Sequence, residues 1–214
     1  MGSEPLKERV IVNDGCVFEG AEWLAARDPD LARAYQLVAP LPLRLKSDGF
    51  ETLLQAIVSQ QVSVASASAI WARMQTAGLT SERAIDTATD GDLQSVGLSR
   101  PKIRYARALA AARLDFAALR KLDSAEVIQQ LTAVTGIGQW TAEIYVKFSL
   151  GRADAFAAGD LALQEGARML YGLPTRPTEA ELRKMSVAWH PWRSVAARIL
   201  WAYYAHQKSR EGVT

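Results

Sequence analysis

Apolar positions recur three and four residues apart along most of the chain, the period of helices buried on one face. Phe50, Leu53, Leu54, Ile57 and Val58 follow this spacing behind Asp48, a capping residue type, which predicts a helix over residues 48–58. Asp28-Pro29 has the form of a cap followed by proline at the first helical position, opening a helix through Val38 that Ala39-Pro40-Leu41-Pro42 breaks. The same reading gives a small-residue helix over 63–75, closed by Gly78, and helices over 80–88, 90–96 and 101–114. Further helices are expected over 124–133, 139–150, 160–171, 178–187 and 191–207, with Ser124 and Asp160 at two of the caps. Only residues 10–13 and 16–18 read as extended, paired around Asp14-Gly15. The pattern predicts an all-α chain with no repeat and no low-complexity linker.

Composition narrows the chemistry. With 214 residues, 49% hydrophobic and 22% charged, the chain can build a core without covalent staples. One cysteine, Cys16, excludes an internal disulfide, an all-cysteine zinc site and a four-thiolate iron–sulfur cluster. It fits a reducing, cytoplasmic compartment. The N-terminal run MGSEPLKERV has no apolar signal segment, and Leu6 stands where a myristoylation signal has Ser or Thr. The most apolar stretches, 64–71 and 195–205, are too short to span a bilayer. His190 and His206 lack the spacing of a transition-metal site. A net charge of +2 does not by itself argue for nucleic acid. From Gly172 onward, however, Arg176, Arg183, Lys184, Arg193, Arg198, Lys208 and Arg210 face only Glu179, Glu181 and Glu211, which reads as a basic tail or a solvated helix surface.

The most informative turn is Gly136-Ile137-Gly138, between two helical patterns. Two glycines allow a tight reversal, and Ile137 can plug the core between the helices. The second helix then begins with unpaired N–H groups at Gly138 and beyond, which favour an anion such as a phosphate. A Gly-x-Gly between helices is also an ordinary loop, so the turn alone does not decide between the two readings.

Three ordered blocks add to it: residues 131–143 (LTAVTGIGQWTAE) followed by Phe156-Ala-Ala-Gly-Asp160, residues 56–65 (AIVSQQVSVA), and residues 191–201 (PWRSVAARILW). Together they resemble the helix–hairpin–helix DNA glycosylases, specifically the alkylation-repair branch of DNA-3-methyladenine glycosylase II. The resemblance runs from about Phe50 to about Tyr204. It implies two helical lobes with a cleft between them, containing the helix–hairpin–helix motif. The expected organisation is an N-terminal segment over 1–45, a remnant of an extra lobe packing with the C-terminal helices; a glycosylase core over 46–170; and completing helices over 171–214. The chain departs from the family at Thr135, where proline is usual, at Gly159, where many relatives carry a second acid, and at Ile144, an aromatic position in many, with Tyr145 adjacent.

The resemblance implies a catalytic role for Asp160, which follows Gly138 by 22 residues. Its carboxylate would stabilise the sugar cation as the base departs; by position alone, an Asp at a helix start is simply an N-cap. The lysine with which strand-cutting relatives form a Schiff base is replaced by Trp140, which implies a monofunctional enzyme. Trp140 and Trp192 would stack on a damaged base, which carries positive charge when alkylated at a ring nitrogen, with Ile144 and Tyr145 beside them. Either tryptophan is equally a core residue type, and Trp23, Trp71, Trp189 and Trp201 read as core or interface. Gln60 and Gln61 would wedge into the duplex, or form an ordinary polar loop; Gly136, Gly138, Thr141 and Lys102 would contact its backbone, with solvated surface the other reading of Lys102. No cofactor is required; a structural Na+ or K+ on the carbonyls of Thr132, Val134 and Ile137 is implied by position. The implied partner is double-stranded DNA with alkylated bases, with no membrane, bound by a monomer. The alternatives are a non-catalytic hairpin DNA-binding module, a glycosylase for another lesion, and a helical protein-interaction scaffold.

Overall fold

The computed structural model describes residues 8–211. Its helices are α1 (Asp14–Ala25), α2 (Pro29–Val38), α3 (Phe50–Ser59) and α4 (Val64–Thr76). Next come α5 (Glu82–Thr87), α6 (Asp90–Ser95), α7 (Arg100–Ala111), α8 (Phe116–Leu119), α9 (Ser124–Thr132) and α10 (Gln139–Phe148). The last are α11 (Leu161–Leu170), α12 (Glu179–Met185), a 3-10 turn over Ser186–Trp189, and α13 (Arg193–Glu211). Among the described residues there is no strand, only an isolated antiparallel bridge between Val10 and Arg152, so the all-α expectation holds. No helix among them is long and apolar enough to cross a membrane.

The chain forms two compact units, one of Met1–Leu45 with Val146–Thr214 and one of Lys46–Tyr145. The division falls inside α10, so residues 146–170 group with the N-terminal segment.

In the first unit α13 packs against α1, α2 and α11. The core gathers Leu24, Leu31, Leu163, Trp192, Val195 and Leu200. Residues 10–18 are not a hairpin: Asn13 accepts the Cys16 N–H and starts α1, so Asp14-Gly15 is the first turn of a helix. The stretch before α1 lies along residues 151–153, with Ile11 N–H donating to Gly151 O at 2.7 Å and Ala153 N–H to Arg9 O at 2.9 Å. On α13 the guanidinium of Arg198, 2% exposed, donates to the carbonyls of Ser194 and Leu43 and to the Ser194 hydroxyl. Burial, with Arg44 nearby, pushes it down to about 10.

In the second unit α7 packs against α3, α5 and α6. Basic side chains meet helix ends there, where carbonyls lack intrahelical donors. Lys102 donates to Val58 O at 2.6 Å, and Arg107 to Ile85 O and Ala88 O at 2.7 Å each. Two expected caps are reassigned. Ser124 is the first residue of α9, and Asp123 caps it, with Glu126 closing a capping box. Gly49, not Asp48, precedes α3, with no side-chain cap. Asp48 instead accepts from the Tyr145 hydroxyl and from Arg120, while the same hydroxyl accepts the Gly49 N–H at 3.1 Å. Burial, then Asp48, push the Tyr145 phenol far above its usual range, so it stays protonated and donating.

Two stability outcomes follow from this packing. A Cβ at Gly20 meets Trp192 at 2.6 Å and Val195 at 2.7 Å, so Gly20→Ala should lower unfolding free energy by about 1–3 kcal/mol in urea denaturation. Tyr145→Phe removes a donor from Asp48, whose side chain is 6% exposed, and should cost about 1–3 kcal/mol in the same assay.

Candidate nucleic-acid interface and catalytic carboxylate

The hairpin lies between α9 and α10. Val134 N–H donates to Leu131 O and Ile137 N–H to Val134 O, which folds the chain back on itself within one turn. Gly136 has φ +98°, and a Cβ there would lie 2.4 Å from Tyr105, so only glycine fits. Ile137 is 4% exposed and plugs the unit's interior as its position suggested. Gly138 is different: a Cβ would meet nothing within 4 Å, so the start of α10 is open.

The turn after α3 sits against this hairpin. Gln60 Nε2 donates to Gly136 O at 2.9 Å, and Gln61 is exposed with φ +55°. A concavity of about 490 Å³ is lined by Gln60, Gln61, Lys102, Tyr105, Gly136 and Gly138 among others. Five of the six expected DNA contacts therefore line one concavity. Lys102 departs from its expected role, being 8% exposed with its ammonium on the Val58 carbonyl, so it holds α3 rather than facing a phosphate. Burial pushes its pKa down. Thr141, in the first turn of α10, is 7% exposed. On the same helix Trp140 is 47% exposed and Ile144 half-buried, whereas Tyr145, 3% exposed, is spent on Asp48.

Asp160 belongs to the first unit, where it caps α11. One carboxylate oxygen, Oδ1, accepts three hydrogen bonds: from Ala162 N–H at 2.9 Å, Leu163 N–H at 3.0 Å and the Trp201 indole Nε1–H at 3.1 Å. The loop before it is fixed by Gln164 Nε2 on Ala158 O at 2.9 Å, and by Asp160 N–H on Ala157 O at 3.0 Å. The carboxylate is half-buried. Helix N–H groups stabilise an anion there, so capping and charge presentation are served by one geometry.

The aromatic partner of Asp160 is Trp201, not Trp192. Trp192 is 1% exposed, packed against Gly20 and Val195 beneath the Arg9 guanidinium, and offers no face to a ligand. Its neighbour Arg193 forks onto Asp154, with Nε at 2.8 Å, and His190 Nδ1 meets the same carboxylate at 2.7 Å. Those bonds outweigh burial and hold Asp154 below the usual carboxylate range. The block over 191–201 thus anchors the start of α13. Trp201, read from sequence as core, is half-buried and stacks on Phe148 with centroids 5.8 Å apart. Sequence gave no direct sign of its contact with Asp160, 41 residues away. Among the described residues no group of His, Cys, Asp and Glu is arranged to hold a metal ion.

Comparison with known proteins identifies the family. Residues 54–191 match the family described as HhH-GPD superfamily base excision DNA repair protein. DNA-3-methyladenine glycosylase 1 of Schizosaccharomyces pombe is 33% identical over 165 residues, covering 73% of this chain and 72% of its own. The crystal structure of a DNA-3-methyladenine glycosidase from Bacillus halodurans superposes with a TM-score of 0.78 at 35% identity, covering 89% of this chain and 91% of that one. The Schizosaccharomyces pombe 3-methyladenine DNA glycosylase in complex with abasic DNA gives a TM-score of 0.74 at 30% identity, over 86% of this chain and 95% of that one. By sequence and by fold, the chain belongs to the HhH-GPD superfamily of base excision DNA repair proteins.

Proposed function

We propose that this protein is a monofunctional DNA glycosylase. It flips alkylated bases such as 3-methyladenine out of duplex DNA and hydrolyses the N-glycosidic bond, leaving an abasic site. The observation that carries the reading is the half-buried Asp160 carboxylate, held through one oxygen by two helix N–H groups and an indole N–H. The names of its relatives point to the same activity.

A flipped base has lost its stacking partners and needs a replacement. In the first unit the half-buried Trp201, whose N–H holds Asp160, is the aromatic surface for that purpose; in the second unit Trp140 is an exposed indole. As the bond from the base to C1′ stretches, its electron pair leaves with the base, and the sugar becomes cationic. A cationic alkylated base departs neutral, so no strong general acid is needed. Asp160 stabilises the sugar cation, and its geometry is fixed beforehand, so no reorganisation is required at that moment. Water adds at C1′ and sheds a proton to solvent, giving the abasic sugar. No amine enters the scheme: Trp140 holds the strand-cutting lysine's position, and Lys147 is enclosed at 0% exposure.

The hairpin positions the duplex. The open N-terminus of α10 presents N–H groups to a phosphate, and Gly138 lets the backbone approach. Gln60 and Gln61, beside the hairpin, are the groups assigned to fill the space left by the base. The carbonyls of Thr132, Val134 and Ile137 suit a hard monovalent cation; Val134 O spends one lone pair on Ile137 N–H and keeps a second. Such an ion would add positive charge for the phosphate. Every group named lies in one chain, and the activity is assigned to a monomer.

Asp160→Asn should keep affinity for duplex DNA while slowing base release at least about a hundredfold, measured by single-turnover excision from methylated duplex. Unchanged release would remove the catalytic role from Asp160, and no release by the unaltered protein would favour the reading as a non-catalytic DNA-binding module. Trp201→Phe keeps the stack on Phe148 but removes the donor to Asp160, and should slow excision about ten- to a hundredfold with little change in DNA affinity.

A further inference from the structure

Lys147 is an ionisable group that the scheme above does not use. It lies near the end of α10, in the first unit, and is 0% exposed. Its ammonium stands 4.4 Å from the centroid of the Trp201 indole, 5.6 Å from Phe156 and 5.8 Å from Phe148. Taking an ammonium out of water is costly, and aromatic faces return part of that cost when they surround it. The nearest of the three rings is the one whose N–H holds Asp160.

The geometry also says which side of the indole is involved. Phe148 stacks on Trp201 at 5.8 Å with planes 24° apart. Lys147 is 0% exposed, so the part of the Trp201 indole that its ammonium faces is closed to solvent. A base reaches the half-buried ring away from that part.

We infer that Lys147 is a specificity-determining positioning residue acting through Trp201. This rests on the glycosylase reading. A cation behind the indole draws its electron density away from the base-facing side. The platform then attracts a cationic base less than a bare indole does, while a neutral base is little affected. The same polarisation strengthens the N–H donor to Asp160 for every substrate. The outcome is a platform that narrows the advantage of cationic adducts and admits neutral damaged bases beside them.

The test compares excision of 7-methylguanine, a cationic base, with hypoxanthine, a neutral one, from otherwise identical duplexes under single-turnover conditions. Lys147→Met, nearly the same length without the charge, should raise the ratio of cationic to neutral excision about tenfold. Lys147→Arg, which keeps the charge, should leave the ratio near that of the unaltered protein. Circular dichroism and thermal melts establish folding. If the methionine variant does not fold, Lys147→Leu takes its place; if neither folds, the charge serves the fold and the inference is wrong. It is equally overturned if both rates change by one factor in the uncharged variant, or if the arginine variant shifts the ratio as methionine does. Failure of the unaltered protein to release any damaged base would sink the glycosylase reading itself.

Discussion

Three hydrogen-bond donors meet on one oxygen of Asp160, and the candidate chemistry depends on that convergence. Two come from the first turn of α11, where N–H groups have no intrahelical acceptor, so the carboxylate satisfies a need the helix has anyway. The third comes from an indole on α13. A surface aspartate would sample several rotamers and be hydrated on all sides. Here the side chain is fixed by its own helix and by a neighbour, and the loop leading to it is tied by Gln164 to the Ala158 carbonyl. Stabilising a sugar cation requires a carboxylate whose orientation does not have to be found at the moment of bond cleavage.

The hairpin obeys a different constraint. The proposed function needs its backbone near a phosphate, and its construction needs backbone near Tyr105. Gly136 satisfies the second and Gly138 the first, so the two glycines of one short motif are not equivalent: one is closed in by an aromatic ring and the other is open. The adjacent turn is coupled to the hairpin directly, since Gln60 donates to Gly136 O. A change at Gly136 therefore reaches the Gln60–Gln61 turn without touching either glutamine.

Much of this was legible in the sequence because caps are local. Asp28 and Asp160 each precede a helix start and each accepts from the first turn. Where reading failed, a longer-range partner had won. Asp48 has the sequence context of a cap, but Tyr145 and Arg120 claim its carboxylate. Asp14-Gly15 reads as a hairpin turn, but Asn13 caps a helix there, and the pairing partner of the preceding stretch is residues 151–153. Four-residue α8 is too short for any period to show. Buried cations are the least legible feature. Lys102 and Lys147 have the composition of solvated surface, and only the fold supplies the carbonyl or the ring faces that admit them.

The exchange of Trp192 for Trp201 follows from the same limit and has a geometric cause. Ser194, Arg198 and Trp201 are spaced four and three apart on α13, so they share one face of the helix. Arg198 binds Ser194 and lies over the Phe148 ring at 5.0 Å, while Trp201 stacks on that same ring. Phe148 is thus flanked by side chains one turn apart, and the ammonium of its neighbour Lys147 lies 4.4 Å from the Trp201 centroid. Trp192, just before the helix, falls instead against Gly20 on α1, where a bare backbone leaves room for an indole. A sequence shows two tryptophans in one block and gives no reason to prefer either. The choice is made by which one has a glycine opposite it and which one has a carboxylate at its N–H: the first becomes packing, and the second becomes part of the site.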